Sequence, residues 1–199
     1  DYSSKNDNNL INIEKINNLK FKNISFSFIK NEPIFDKINL EFNSGESIAI
    51  LGKSGGGKST LMNLLYKLYN PINGVIKVDN LNIDNISISS LRETLTVVPQ
   101  NINLFNTKNM ENNIELYNKK HKKNIDNLKN LLKINNLEKN KNVNNLSHGQ
   151  KQRVLIARSL FNKKKSVYIF DEYLSAIDPK YSPDIHKTII KNLKDNNKI

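Results

Sequence analysis

Cysteine is absent from the 199 residues. Its absence excludes a disulfide scaffold and a thiolate metal site, and it fits a reducing compartment. Long apolar runs are missing as well. Nothing in the chain approaches the roughly 18 apolar residues that a membrane-spanning helix needs, and no signal peptide is visible. Glycine is scarce, at 7 residues, so a glycine here stands where the backbone demands one. Acidic side chains are outnumbered, 19 against 31 Lys and Arg, for a net charge of +12. A basic balance can point to nucleic acid or an anionic surface. No aromatic-interleaved basic stripe accompanies it, so no specific nucleic-acid footprint is expected. What the chain has in abundance is asparagine, about a fifth of the whole, spread with lysine almost everywhere. That is a global bias rather than a patch. The length suffices for one good-sized domain. The chain opens on Asp1 and stops at Ile199 inside a helix-like pattern, so it is expected to be a piece of a longer polypeptide.

Residues 1–18, rich in Asn, Ser, Asp and Lys, are expected to form a linker or frayed start. Alternation follows. Ile24, Phe26 and Phe28 alternate with serines, and Ile38, Leu40 and Phe42 repeat the pattern after a turn at Asn31–Pro33. Two antiparallel strands are predicted. "SIAIL", Ser47 to Leu51, is a short continuous apolar run of the kind a buried parallel strand shows. Further short strands are predicted at Val75–Val78, Leu95–Val98 and Val167–Phe170. Between them, residues 101–145 read as a helical insert, with Ile125, Leu128, Leu131 and Leu132 on one helical face. "SHGQKQRVLIARSLF" predicts a helix opened by Ser147, with Val154, Ala157, Leu160 and Phe161 inward. "SPDIHKTIIKNL" predicts another, with Ser182 as cap, Pro183 in the first turn, and Ile185, Ile189 and Leu193 as its stripe.

Four of the seven glycines stand together at Gly52, Gly55, Gly56 and Gly57. "GKSGGGKS" fits G-x-x-x-x-G-K-[ST], after an apolar run and before a helical pattern, which is the context of a phosphate-binding loop. Glycines let successive backbone N–H groups turn inward around phosphates. Lys58 is expected to reach the β- and γ-phosphates, and the Ser59 hydroxyl to ligate Mg²⁺. The helix that follows turns its positive end to the anion.

"VYIF" ends in Asp171 and Glu172. A strand that releases a carboxylate at its C-terminal end places it at the edge where ligands bind in a parallel α/β sheet. Asp171 is expected to hold the Mg²⁺, and Glu172 to act on a water in line with the γ-phosphate. Phosphoryl transfer asks mainly for positioning and charge stabilisation, and these groups supply both.

The order phosphate loop, "VVPQ", "LSHGQ", "IFDE", "SAID" resembles the nucleotide-binding domain of an ABC transporter, from about Leu19 to Ile199. The resemblance implies an α/β P-loop NTPase cassette: a RecA-like parallel sheet core, an N-terminal antiparallel β subdomain, and an inserted helical subdomain at about 101–162. It implies ATP and Mg²⁺ as ligands, and no other metal. By similarity, Phe28 is the aromatic that stacks on adenine, and Gly52, Lys53, Ser54, Gly55, Gly56, Gly57, Lys58, Ser59 and Thr60 form the nucleotide loop. Gln100 touches Mg²⁺ and senses the γ-phosphate. Ser147, Gly149 and Gln150 are the signature, which covers the ATP of a second cassette packed head to tail. Ser175 to Asp178 cross to that partner. "SISSLRETLTVVPQNINLFNTKNMENNI" is similar to the exporter branch, with peptide and bacteriocin exporters as a guess at the kind. The expected partners are a second nucleotide-binding domain and the transmembrane domains of the same transporter, at the cytoplasmic face of a membrane.

Departures from the pattern are local. His148 replaces the second signature glycine, Phe28 a more usual Tyr, and Tyr173 and Leu174 the small residues after "DE". "LEKNKNVNNL" is shorter than its counterpart and lacks an acidic glycine-containing stretch. The family's switch histidine is expected beyond Ile199; His186 and His121 are neither that residue nor metal ligands. Two other readings stay open on sequence: a soluble ABC-type ATPase acting on nucleic acid or ribosomes, and a cassette that binds ATP without hydrolysing it.

Overall fold

The computed structural model describes residues 10–53, 55–106, 110–115, 122–135, 142–162 and 164–199. The chain divides into two compact units, Asp1–Leu95 with Lys194–Ile199, and Thr96–Leu193.

The first unit is built on an antiparallel sheet of order β2-β1-β3-β4. Its strands are β1 (Asn18–Ile29), β2 (Glu32–Asn43), β3 (Asn73–Val78) and β4 (Leu81–Asn82). Leu19, Phe21, Ile24 and Phe26 of β1 are all buried. The odd spacing between Phe21 and Ile24 would put them on opposite faces of a regular strand. A register shift between them corrects the phase, with Asn23 at φ 50. One extra residue in a bulge does this at small cost. Across the sheet Leu19 faces Val78 and Phe21 faces Ile76, so β3 closes the other side of β1. Gly74, at φ +90, lies against the Asn23 carbonyl so closely that a Cβ there has no room. The turn between β1 and β2 centres on Lys30 and Asn31, with Asn31 at φ 70. Pro33 already belongs to β2.

Helix α1 (Lys58–Leu65) buries Thr60, Leu61, Leu64 and Leu65. Just past its end, buried Lys67 donates from Nζ to the carbonyls of Ile83 and Ile86, at 3.1 Å each. A cation without water needs such partners. Helix α2 (Ile88–Thr94) is capped by Ser87. Residues 10–18, expected as a loose leader, are tied down. Ile11 N–H donates to Asn85 O at 2.8 Å, Ile16 is fully buried, and Asn18 N–H donates to the Asp79 carboxylate at 2.7 Å. Composition missed this because three isoleucines among polar neighbours carry no clean period.

The predicted strand at Ser47–Leu51 does not form. Its residues pair with no strand among the described residues, Ile48 and Ile50 are about half exposed and Leu51 is 91% exposed. Without a ladder partner, an apolar run has neither its backbone bonds nor a face to bury.

The second unit gathers strands β5 (Leu95–Val98) and β6 (Val167–Phe170), which pair, with helices α3 (Met110–Glu115), α4 (Lys122–Leu131), α5 (His148–Phe161) and α6 (Ser182–Asp195). One core joins them: Val98, Met110, Ile114, Ile125, Leu132, Val154, Ala157, Phe161, Tyr173, Ile185 and Ile189 all belong to it. The predicted stripes of α4, α5 and α6 are the faces that are buried. Ser182 is the first residue of α6 rather than its cap. The short segment before α5 was read across residues that lie partly outside those described, as does His121.

Candidate nucleotide site

In the first unit the glycine loop runs into α1. Gly55 and Gly57 hold φ of 78 and 85, where other residues are strained. A methyl group at Gly57 would also sit 2.5 Å from Ile34 and 2.8 Å from the Phe35 ring, so both torsion and space demand glycine there. Gly56 N–H donates to Lys53 O at 3.0 Å and closes the loop. Lys58 Nζ donates to the carbonyls of Gly52 and Lys53 at 2.9 and 3.1 Å, folding the ammonium back over the loop. Gly57 gives α1 no side-chain cap, and no acidic residue stands in its first turn. The positive end of the helix is therefore neither capped nor neutralised by its own side chains, as an anion site requires. Ser59 is exposed at this mouth, whereas Thr60 is buried in the helix's inner face. Ser54 lies outside the described residues.

Phe28, on the same unit, is 59% exposed. Its ring meets Phe26 at 5.0 Å and Tyr69 at 5.3 Å, both nearly perpendicular. Phe26 and Tyr69 in turn lie 5.6 Å apart. The two edge-to-face contacts of Phe28 are a preferred geometry for aromatic pairs. Sequence does not single out Tyr69; its only signal is an aromatic side chain four residues past the end of α1.

In the second unit Asp171 follows β6 directly, and its N–H donates to Val98 O at 3.0 Å, binding the exits of β5 and β6 together. Glu172 stands at φ 46. For a residue with a side chain that conformation costs about 1–3 kcal/mol and persists only when the surroundings over-determine it. They do: Gln100 Nε2 donates to Glu172 Oε2 at 2.5 Å, and Ser175 N–H donates to Glu172 O at 3.0 Å. Gln100 and Glu172, 72 positions apart, are thus brought together.

Ser147 caps α5 reciprocally. Gln150 N–H donates to Ser147 Oγ at 3.3 Å and Ser147 N–H donates to Gln150 Oε1 at 2.9 Å. This capping box satisfies two donors at the helix mouth. Gly149 comes so close to the 175–178 loop that a methyl group would sit 2.6 Å from Ala176 O. His148 is exposed. Asp178, expected at nucleotide, uses Oδ1 to accept from Lys180 N–H at 2.8 Å and so shapes the entry to α6.

The family model described as "ABC transporter" matches residues 35–175. The chain belongs to the ABC transporter family. It is 33% identical over 181 residues to ABC transporter B family member 24, mitochondrial, of Arabidopsis thaliana, covering 86% of this chain and 26% of that protein. It is 35% identical over 186 residues to the ATP-dependent lipid A-core flippase of Wigglesworthia glossinidia brevipalpis, covering 87% and 32%. A solved structure titled as a bacterial Atm1-family ABC exporter with ATP bound matches with a TM-score of 0.82 at 30% identity, covering 94% of this chain and 35% of that one. The chain therefore spans about a quarter to a third of the length of these relatives. Its fold is the ABC cassette: a P-loop NTPase, mixed α/β, with an antiparallel β subdomain. No helix among the described residues is long and apolar enough to cross a membrane.

Within the cassette, one contact was not anticipated. The Tyr173 hydroxyl lies 2.6 Å from His186 Nδ1, and burial pushes the Tyr173 phenol up to about 12. Sequence marks Tyr173 only as bulky where the family is small, and sets His186 aside as neither the switch histidine nor a metal ligand.

Proposed function

We propose that this cassette binds ATP with Mg²⁺, hydrolyses it, and drives an ABC exporter by closing head to tail on a second cassette. The observation that carries the hydrolytic part is the Gln100–Glu172 contact at 2.5 Å, which presents a carboxylate in a strained, exposed position at a strand exit. Strained backbone of this kind clusters at functional sites. Glu172 takes the role of base for the attacking water. Gln100 orients that carboxylate through its side-chain amide, and its amide oxygen would be a ligand for Mg²⁺. Each unit offers hard oxygen donors of the kind a dication takes: the Ser59 hydroxyl in the first, and the Asp171 carboxylate and Gln100 amide oxygen in the second. When bound, Mg²⁺ supplies charge neutralisation on the phosphate oxygens.

Lys58 and the loop amides hold the β- and γ-phosphates, and the Phe28 ring stacks on adenine. Lys53, Ser54 and Gly52 to Ser59 complete the cradle; Thr60 acts through packing. Ser147, Gly149 and Gln150 cover the partner's nucleotide, with Asp178 in the loop that reaches across. Membrane-embedded domains of the same transporter are the other partner, at the cytoplasmic face. The names of the relatives, two of them exporters or flippases, support this direction of transport.

The test is light scattering on the Glu172→Gln protein with and without ATP–Mg²⁺. A blocked hydrolytic step traps the closed pair, so a dimer is expected with ATP and a monomer without. A monomer at saturating ATP would overturn head-to-tail closure. Undiminished ATP turnover by Glu172→Gln would overturn the assignment of the base.

A further inference from the structure

Asp171 and Glu172 form a two-residue bridge between two aromatic residues, Phe170 and Tyr173, whose rings touch at 4.4 Å between centroids. The bridge is short, and Glu172 within it is held at φ 46. Phe170 is fixed as the last residue of β6. Tyr173 is fixed twice over. It is 8% exposed in the core shared with α5 and α6, and its hydroxyl reaches His186 on the second turn of α6. The His186 ring is itself tilted against Tyr173 at 6.2 Å. Helix α6 is anchored beneath by Ile185 and Ile189, at 1% and 0% exposure, on either side of His186 in sequence. The loop that carries the carboxylate is therefore pinned at one end by a strand and at the other by a helix.

We infer that Tyr173 and His186 are a positioning pair for the hydrolytic step: the hydroxyl–imidazole bond to α6 sets where the Glu172 carboxylate stands. This rests on the reading of Glu172 as base. Neither residue touches nucleotide. Both act by restricting the one residue of the loop that stands in a left-handed conformation. Packing alone would make Tyr173 a core residue and leave the hydroxyl dispensable. The positioning role makes the hydroxyl and its acceptor matter to the rate and not to nucleotide affinity.

The experiment is steady-state ATP hydrolysis by the full-length protein carrying Tyr173→Phe, His186→Leu, both together, His186→Asn and, as reference, Glu172→Gln. Phe keeps the ring stack, and His186 is exposed, so none of these opens a cavity. Tyr173→Phe and His186→Leu are each expected to lower kcat by about threefold to tenfold, the size of one net hydrogen bond. KM for ATP should stay within about twofold, as for a group that acts only in the transition state. His186→Asn, whose Oδ1 can accept where Nδ1 did, should recover most of the rate. The double variant should be no slower than either single one. Unchanged kcat in both single variants, a loss carried by KM, or additive losses would each overturn the pair. Turnover by Glu172→Gln at the unaltered rate would instead bring down the base assignment beneath it.

Discussion

At Gly149 two opposing effects meet in one residue. Alanine is the better helix former by roughly 1 kcal/mol, which favours the substitution in the first turn of α5. Against it stands the Ala176 carbonyl, 2.6 Å from where the methyl would go. That neighbour is backbone and cannot rotate away, so overpacking of about 1–3 kcal/mol wins. Gly149→Ala is expected to lower the unfolding free energy by a net of up to about 2 kcal/mol, read as a lower urea midpoint. Gly52→Ala is the control, because nothing lies within 4 Å of its added carbon. It should leave stability within about 0.5 kcal/mol. Equal midpoints for the two variants would mean that the 175–178 loop yields freely.

Among the elements, α5 makes the clearest case for a local cause. Its signature serine and glutamine form a reciprocal cap before any nucleotide is considered. Ser147→Ala should cost about 1 kcal/mol of stability without nucleotide, read by chemical denaturation, and Gln150→Ala a smaller share of the same cap. No change in either would reduce the box to a packing accident. The period of 3.6 made α4, α5 and α6 legible, since Ile125, Leu132, Val154, Ile185 and Ile189 recur at helical spacing and all are buried. The phosphate loop and the carboxylate pair were legible because both are local strings. Residues 47–51 were misread because an apolar run states a wish for burial and not whether a neighbour exists to grant it. The Phe21–Ile24 bulge and the place of β3 depend on long-range pairing. Tyr173 and His186 lie 13 residues apart across a loop and a helix start, a spacing that matches no period.

For the whole molecule, alkaline pH is the informative variable. Burial holds Tyr66, Tyr168 and Tyr173 at about 12, against an ordinary 10.0. Below pH 10 these phenols are neutral whether the chain is folded or not, and their contribution to stability is complete. As pH rises from about 10 to 12, the unfolded chain releases the three protons and the folded chain keeps them. Stability must therefore fall through that window and level off above it. Ultraviolet titration should show Tyr66, Tyr168 and Tyr173 ionising later in the native protein than in urea. A single early transition in the native protein would contradict their burial. The asparagine bias also acts at this scale. Asn23, Asn31, Asn80 and Asn197 all stand at left-handed φ, the conformation glycine usually serves, in a chain that has little glycine. Asparagine tolerates that region because its short amide bonds locally. It carries a side chain, however, and so roams less than glycine when the chain is unfolded. The composition thus accepts slight strain at its corners in exchange for a less disordered starting ensemble.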